Sequence, residues 1–140
     1  GALVEGYRSD MTRTVCVGPA GPEQRRLYDV VHRAQAAGRG AVRAGVVAGH
    51  VDAVCREVIG AAGLADAFSH GTGHGLGLQI HEYPILSRST TGELGPGYVV
   101  TVEPGVYVRD VGGVRIEDMV EVTDDGPRGI PRTSKELLQL

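Results

Sequence analysis

The chain has 140 residues, enough for one domain with a real core, and its 41% hydrophobic and 22% charged content is that of an ordinary globular protein. A net charge of -3 without any Lys/Arg run gives no electrostatic case for nucleic acid, and Lys135 is the one lysine present. No apolar stretch approaches the roughly 20 residues of a bilayer span, so no membrane partner is expected. The start Gly1-Ala2-Leu3-Val4-Glu5 also lacks the basic-then-apolar pattern of a secretory leader, although no initiator Met precedes it. Cys16 and Cys55, far apart and in no CxxC frame, read as two reduced thiols of a cytoplasmic protein.

From Ala2 to Val17 the chain reads as extended, with Gly6 and Tyr7 after one strand-like piece and Thr12, Thr14, Val15 and Val17 supplying β-branched residues for another. Gly18-Pro19-Ala20-Gly21-Pro22 then breaks the pattern. Leu27, Val30, Val31, Ala34, Ala37 and Ala41 recur at helical spacing, so a helix is expected from about Pro22 to Ala44, with Pro22 and Glu23 suited to its first turn. Gly38 and Gly40 weaken it without ending it. A second helix is expected from Ala48 to Ala62 on the stripe Val51, Val54, Cys55, Val58 and Ile59, capped by Gly63. Ser69 to Pro84 is rich in Gly and His. Val99 to Glu103, Val106 to Val108 and Val114 to Val122 read as strands, the last two separated by a turn at Asp110 to Gly113. Helices first and antiparallel strands later predict an α+β domain.

Four residues stand out for chemistry: Asp10 in Ser-Asp-Met-Thr-Arg-Thr, His74 in Gly-His-Gly-Leu-Gly, Glu103 in Val-Glu-Pro-Gly and Glu117 in Val-Arg-Ile-Glu-Asp. Three carboxylates and one imidazole suit a divalent metal that activates water. Taken singly each has a plainer explanation: Asp10 as a turn residue or a partner of Arg13, Glu103 as a surface glutamate at a strand end, Glu117 as a partner of Arg115 on one strand face. His70 and His81 flank His74, where imidazoles can donate to a carbonyl or its oxyanion. The glycines of this segment lack the strand-to-helix frame of a dinucleotide site.

The joint pattern Gly6–Thr14, Ser69–Pro84, Val102–Gly105 and Gly113–Asp118 resembles the motifs, in order, of the pita-bread metallopeptidase family, which includes methionine aminopeptidase, aminopeptidase P and prolidase. Asp-Met-Thr-Arg-Thr, Val-Arg-Ile-Glu-Asp and the placing of His70 resemble the proline-specific branch. The resemblance implies the pita-bread fold, a curved antiparallel sheet with flanking helices. It implies hydrolysis of Xaa-Pro bonds by a metal-activated hydroxide, releasing the N-terminal residue of a peptide with proline second or splitting Xaa-Pro dipeptides. Asp10 and Glu117 would bridge two metal ions, Mn²⁺ foremost with Co²⁺, Zn²⁺ or Fe²⁺ tolerated, and His74 and Glu103 would complete one site. Glu103 would relay a proton, His81 and His70 would hold the substrate and stabilise the intermediate, and Arg115 would orient Glu117 or the substrate. Methionine aminopeptidase specificity and a non-catalytic binding module on the same fold are the alternatives.

One departure follows from the same resemblance. The family's further metal-binding aspartate would fall two residues upstream of Gly1, and Glu5 occupies the wrong place in the hairpin to replace it. Residues 1–140 are therefore expected to be the C-terminal part of a longer catalytic domain, lacking roughly its first half, with one metal site incomplete and activity impaired. The stretch from Ala2 to Cys16 is expected to be an unpaired edge, open to pairing between two copies as a homodimer.

Overall fold

The computed structural model describes residues 1–140. The chain opens with a hairpin of β1 (Leu3–Val4) and β2 (Tyr7–Arg8), whose turn residues Glu5 and Gly6 have φ of 51° and 89°. Positive φ at both positions matches the right-handed twist of the flanking strands. The next strand, β3 (Val15–Cys16), runs parallel to β11 (Leu138–Gln139) from the far end of the chain. The expectation of an unpaired edge from Ala2 to Cys16 is corrected here: β1 and β2 pair with each other, Thr12 bridges Glu117, and β3 has β11.

Helix α1 (Pro22–Ala41) starts as the sequence implies, with Pro22 in its first turn and the Gln24 side chain accepting the Gly21 N–H at 2.6 Å. It stops short of Ala44. Val42 turns extended and is fully buried, while Ala44 and Gly45 donate to the carbonyls of Thr123 and Leu94. Those tertiary bonds outweigh helical propensity. Helix α2 (Ala48–Ala61) packs across α1 at Gly38, where a Cβ would lie 2.2 Å from the Cys55 sulfur. Glycine there lets the two helices approach, which is why it is tolerated mid-helix. The buried stripe of α2 is Ala48, Val51, Asp52, Cys55 and Ile59, with Val54 and Val58 only half-buried.

The remaining chain forms a five-stranded antiparallel sheet in the order β10 (Gly126–Gly129), β9 (Asp118–Thr123), β6 (Val99–Val102), β4 (Gly73–Gly75) and β5 (Glu82–Leu86). A separate hairpin is made by β7 (Gly105–Val108) and β8 (Gly112–Arg115). The continuous strand expected from Val114 to Val122 is broken at Ile116 and Glu117, where Glu117 leaves the ladder to bridge Thr12. Helices α1 and α2 bury Leu27, Val31, Ala34, Val51 and Ile59 against Val100, Val102, Val120 and Val122 of the sheet. The α+β architecture stands, and no helix is long and apolar enough to cross a membrane.

Candidate metal centre

His74 sits in the middle of β4, a strand that can lie against β6 only because its first residue is glycine. A Cβ at Gly73 would stand 2.0 Å from the Thr101 carbonyl oxygen. Thr101 then serves two neighbours: its hydroxyl accepts the His74 N–H at 3.0 Å and donates to Glu103 Oε1 at 3.1 Å. Glu103 follows directly on β6, and its own N–H donates to the Thr72 carbonyl at 2.7 Å. Asp10 arrives from the loop after β2, and Glu117 from the break between β8 and β9. Segments remote in sequence thus converge at one point of the sheet.

Ligand atoms of Asp10, His74 and Glu117 all lie within 4.8 Å of one another. Glu103 joins through His74, whose Nε2 is 3.2 Å from Glu103 Oε1 and 3.9 Å from Asp10 Oδ2. The imidazole Nδ1 faces the Gly75 carbonyl at 3.0 Å, an acceptor only, so Nδ1 carries the hydrogen and Nε2 points into the carboxylate cluster. With acceptors at both nitrogens the ring retains a second proton easily. Burial works to lower its pKa, but the bonds to Glu103 and the Gly75 carbonyl outweigh burial and raise it. Glu103 is the converse: burial works to raise its pKa, and His74 and Thr101 hold it below the usual range.

Glu117 is the most constrained acid. Its Oε2 accepts a 2.5 Å bond from the Thr12 hydroxyl, while Oε1 is buried without any hydrogen-bond partner. Burial first, and then repulsion from Glu103 and Asp10, push its pKa up to about 7. An orphaned carboxylate oxygen beside an imidazole lone pair and a second acid is what a bound cation would satisfy. The donor set of hard oxygens and one borderline nitrogen fits a divalent first-row metal. Glu5, at the exposed hairpin turn, is no part of it.

Of the residues expected on the substrate side, His81 packs on His74 and Arg115 approaches Glu103, while His70 bonds Gly71 and Tyr107. The exposed His81 ring packs edge-on against His74 with centroids 4.1 Å apart and makes no hydrogen bond of its own. His70 is tethered at both nitrogens: Nδ1 donates to the Gly71 carbonyl at 2.8 Å, and Nε2 accepts from the Tyr107 hydroxyl at 3.0 Å. Arg115 does not hold Glu117 directly. Its Nε donates to Thr12 Oγ1 at 3.1 Å and lies 3.9 Å from Glu103, with Tyr107 nearby. Arg13, weighed as a partner of Asp10, instead bonds Asp118 at 2.8 Å and the Glu117 carbonyl at 2.7 Å.

Several contributors were invisible in the sequence. Tyr107 reads there as one more strand residue in Gly-Val-Tyr-Val. Asp118, the acid after Glu117, is buried between Arg13, Gln35 and Lys135. Asp52 and Arg56 on α2 reach the segment leading into His74. The one available signal was their i, i+4 spacing, which usually marks a solvated helix face. The cysteines are free as expected, and burial pushes the Cys55 thiol up to about 12, leaving it inert.

Carboxylates gathered around one imidazole, on an antiparallel sheet backed by two helices, form a candidate divalent-metal centre on the pita-bread fold. Residues 1–124 match the profile of metallopeptidase family M24, and the chain belongs to that family. It is 44% identical over 138 residues to the Xaa-Pro dipeptidase of Pyrococcus furiosus, covering 99% of this chain and 40% of that protein. Among solved structures, an Xaa-Pro dipeptidase from Bacillus anthracis superposes with a TM-score of 0.95 at 44% identity, over 96% of this chain and 38% of that one. An X-Pro aminopeptidase from Thermotoga maritima superposes with a TM-score of 0.97 at 34% identity, over 100% of this chain and 40% of that one. The chain spans about 40% of the length of the curated relatives it matches.

Proposed function

We propose that this chain carries the metal-binding part of a peptidase that hydrolyses Xaa-Pro bonds, with Asp10, His74, Glu103 and Glu117 holding the divalent cation. The single observation that carries the reading is the convergence of Asp10, His74 and Glu117 within 4.8 Å, with one buried Glu117 oxygen left unpartnered. Proline specificity is supported by the relatives named as Xaa-Pro dipeptidases and an X-Pro aminopeptidase. Mn²⁺ suits a donor set dominated by carboxylates. The free thiols accord with the cytoplasmic location we assign.

A divalent cation bound there supplies a water of lowered pKa and polarises the scissile carbonyl. The chain's own residues do the rest. His74 donates its Nε2 lone pair, and the bond from Nδ1 to Gly75 keeps the ring in that tautomer. Glu103, held ionised by His74 and Thr101, accepts a proton from the attacking water and passes it to the leaving amine. His81, with no internal hydrogen bond, is free to donate to the developing oxyanion. His70 and Tyr107, hydrogen-bonded to each other, and Arg115 stand beside the cluster, where they can hold the substrate's peptide or carboxylate group.

The protein at its full natural length should cleave Xaa-Pro substrates with Mn²⁺, spare Xaa-Ala analogues, and lose activity in EDTA. Equal turnover of Xaa-Ala, or undiminished activity in chelator, would overturn the reading.

A further inference from the structure

Helix α2 delivers two charged groups to the peptide that precedes His74. Asp52 is fully buried. Its Oδ1 accepts both the Thr72 N–H at 3.0 Å and the Thr72 hydroxyl at 2.9 Å. Its other oxygen accepts from Arg56 Nε at 2.6 Å. Arg56 in turn donates to the Phe68 carbonyl at 3.1 Å and the His70 carbonyl at 2.5 Å, and stacks on the Phe68 ring at 4.2 Å. The segment Phe68 to Thr72 is thereby tied to a helix, in addition to the bond that the Thr72 N–H shares with the Leu86 carbonyl at 2.8 Å.

Burying a carboxylate costs several kcal/mol unless its oxygens are filled, and one turn of helix plus one threonine fill them here. Thr72 is what makes the pair more than a local clip. Its carbonyl accepts the Glu103 N–H at 2.7 Å, and two residues on lies His74, itself bonded through its N–H to Thr101. One side chain on α2, together with the Leu86 carbonyl, therefore holds the residue that links the imidazole to the glutamate it faces at 3.2 Å. Arg56 sets the carbonyl of His70 by the same means.

We propose that Asp52, acting through Thr72 with Arg56 as its counter-ion, is a positioning residue for the cation site, holding His74 and Glu103 at ligand separation. This rests on the metallopeptidase reading above. Loss of such a supporting bond typically weakens metal affinity or activity 10- to 100-fold.

The test uses two substitutions at Thr72 with opposite structural costs. Thr72→Val keeps the volume of a fully buried residue and deletes the hydroxyl; Thr72→Ser keeps the hydroxyl and deletes a methyl. Mn²⁺ affinity by titration calorimetry and melting temperature in EDTA are measured for native protein, both variants and Asp52→Asn. A positioning role predicts that Thr72→Val and Asp52→Asn bind Mn²⁺ at least about tenfold more weakly while Thr72→Ser binds like native, even where serine melts lower than valine. Affinity that simply follows melting temperature, or native affinity in Thr72→Val, overturns the proposal and leaves the metallopeptidase reading standing. Failure of the native protein to bind Mn²⁺ overturns that reading and this inference with it. If Asp52→Asn does not fold, the valine–serine comparison decides alone.

Discussion

Glu117→Gln separates what this residue does for the fold from what it does for the cation. The buried carboxyl titrates at about 7 against an ordinary value of 4.5. A raised acid binds its proton more tightly in the folded chain, so stability is highest below the unfolded value and falls as pH rises from about 4.5 to 7. The interval between the two values corresponds to at most about 3 kcal/mol. Glutamine keeps an oxygen for the 2.5 Å bond from Thr12 and removes the charge beside Asp10 and Glu103. In EDTA at pH 8 the variant should therefore be about 1–3 kcal/mol more stable than the native protein, with the gap closing toward pH 5. Saturating Mn²⁺ should reverse the order, because it stabilises only the chain that binds it. Urea unfolding at both pH values, with chelator and with Mn²⁺, checks all three outcomes. A variant that is less stable than native at pH 8 without metal, or that gains as much from Mn²⁺, would refute the account of Glu117 as a strained ligand.

Gly73→Ala should cost about 3 kcal/mol or prevent folding, since the new Cβ meets the Thr101 backbone at 2.0 Å; a thermal shift equivalent to under about 1 kcal/mol would show that β4 can move off β6. Arg13→Ala leaves the buried Asp118 with Lys135 as its remaining cation and should destabilise by about 3–5 kcal/mol in denaturant titrations. Burial works to raise the Asp118 pKa, but Lys135 and then Arg13 hold it below the usual value. Its stability contribution is thus present above the unfolded carboxyl range and lost as pH falls through the depressed value, and Arg13→Ala should unfold at a higher pH than native in acid titration. Tyr107→Phe should leave Mn²⁺ affinity unchanged and lower kcat/KM on an Xaa-Pro substrate about fivefold to tenfold, from the loss of the hydroxyl between His70 and Arg115; an effect on Mn²⁺ affinity instead would move Tyr107 into the cation site.

The sequence marked Asp10, His74, Glu103 and Glu117 because each stands in a frame of unusual neighbours, and marked the helices because their apolar spacing is regular. It failed where a partner lies far along the chain or where a side chain breaks its own pattern. Val42 looks helical until its burial against the sheet is known. Glu117 looks like a strand residue facing Arg115, yet the strand stops to let it reach Thr12. Asp52 looks like the polar side of α2, and the Thr72 N–H and hydroxyl, with the Arg56 guanidinium, explain why it is inside. Arg13 had an acid three residues away in Asp10 and took Asp118 instead, because the break that frees Glu117 also turns Asp118 toward it.

Thr12 and Glu117 are bonded across a separation of 105 residues, and this has a consequence for biosynthesis. A growing polypeptide that has released Asp10, His74 and even Glu103 still has an open ring of donors, with no Glu117 to close it. The candidate centre therefore cannot close until Glu117 has left the ribosome, however early Asp10, His74 and Glu103 emerge.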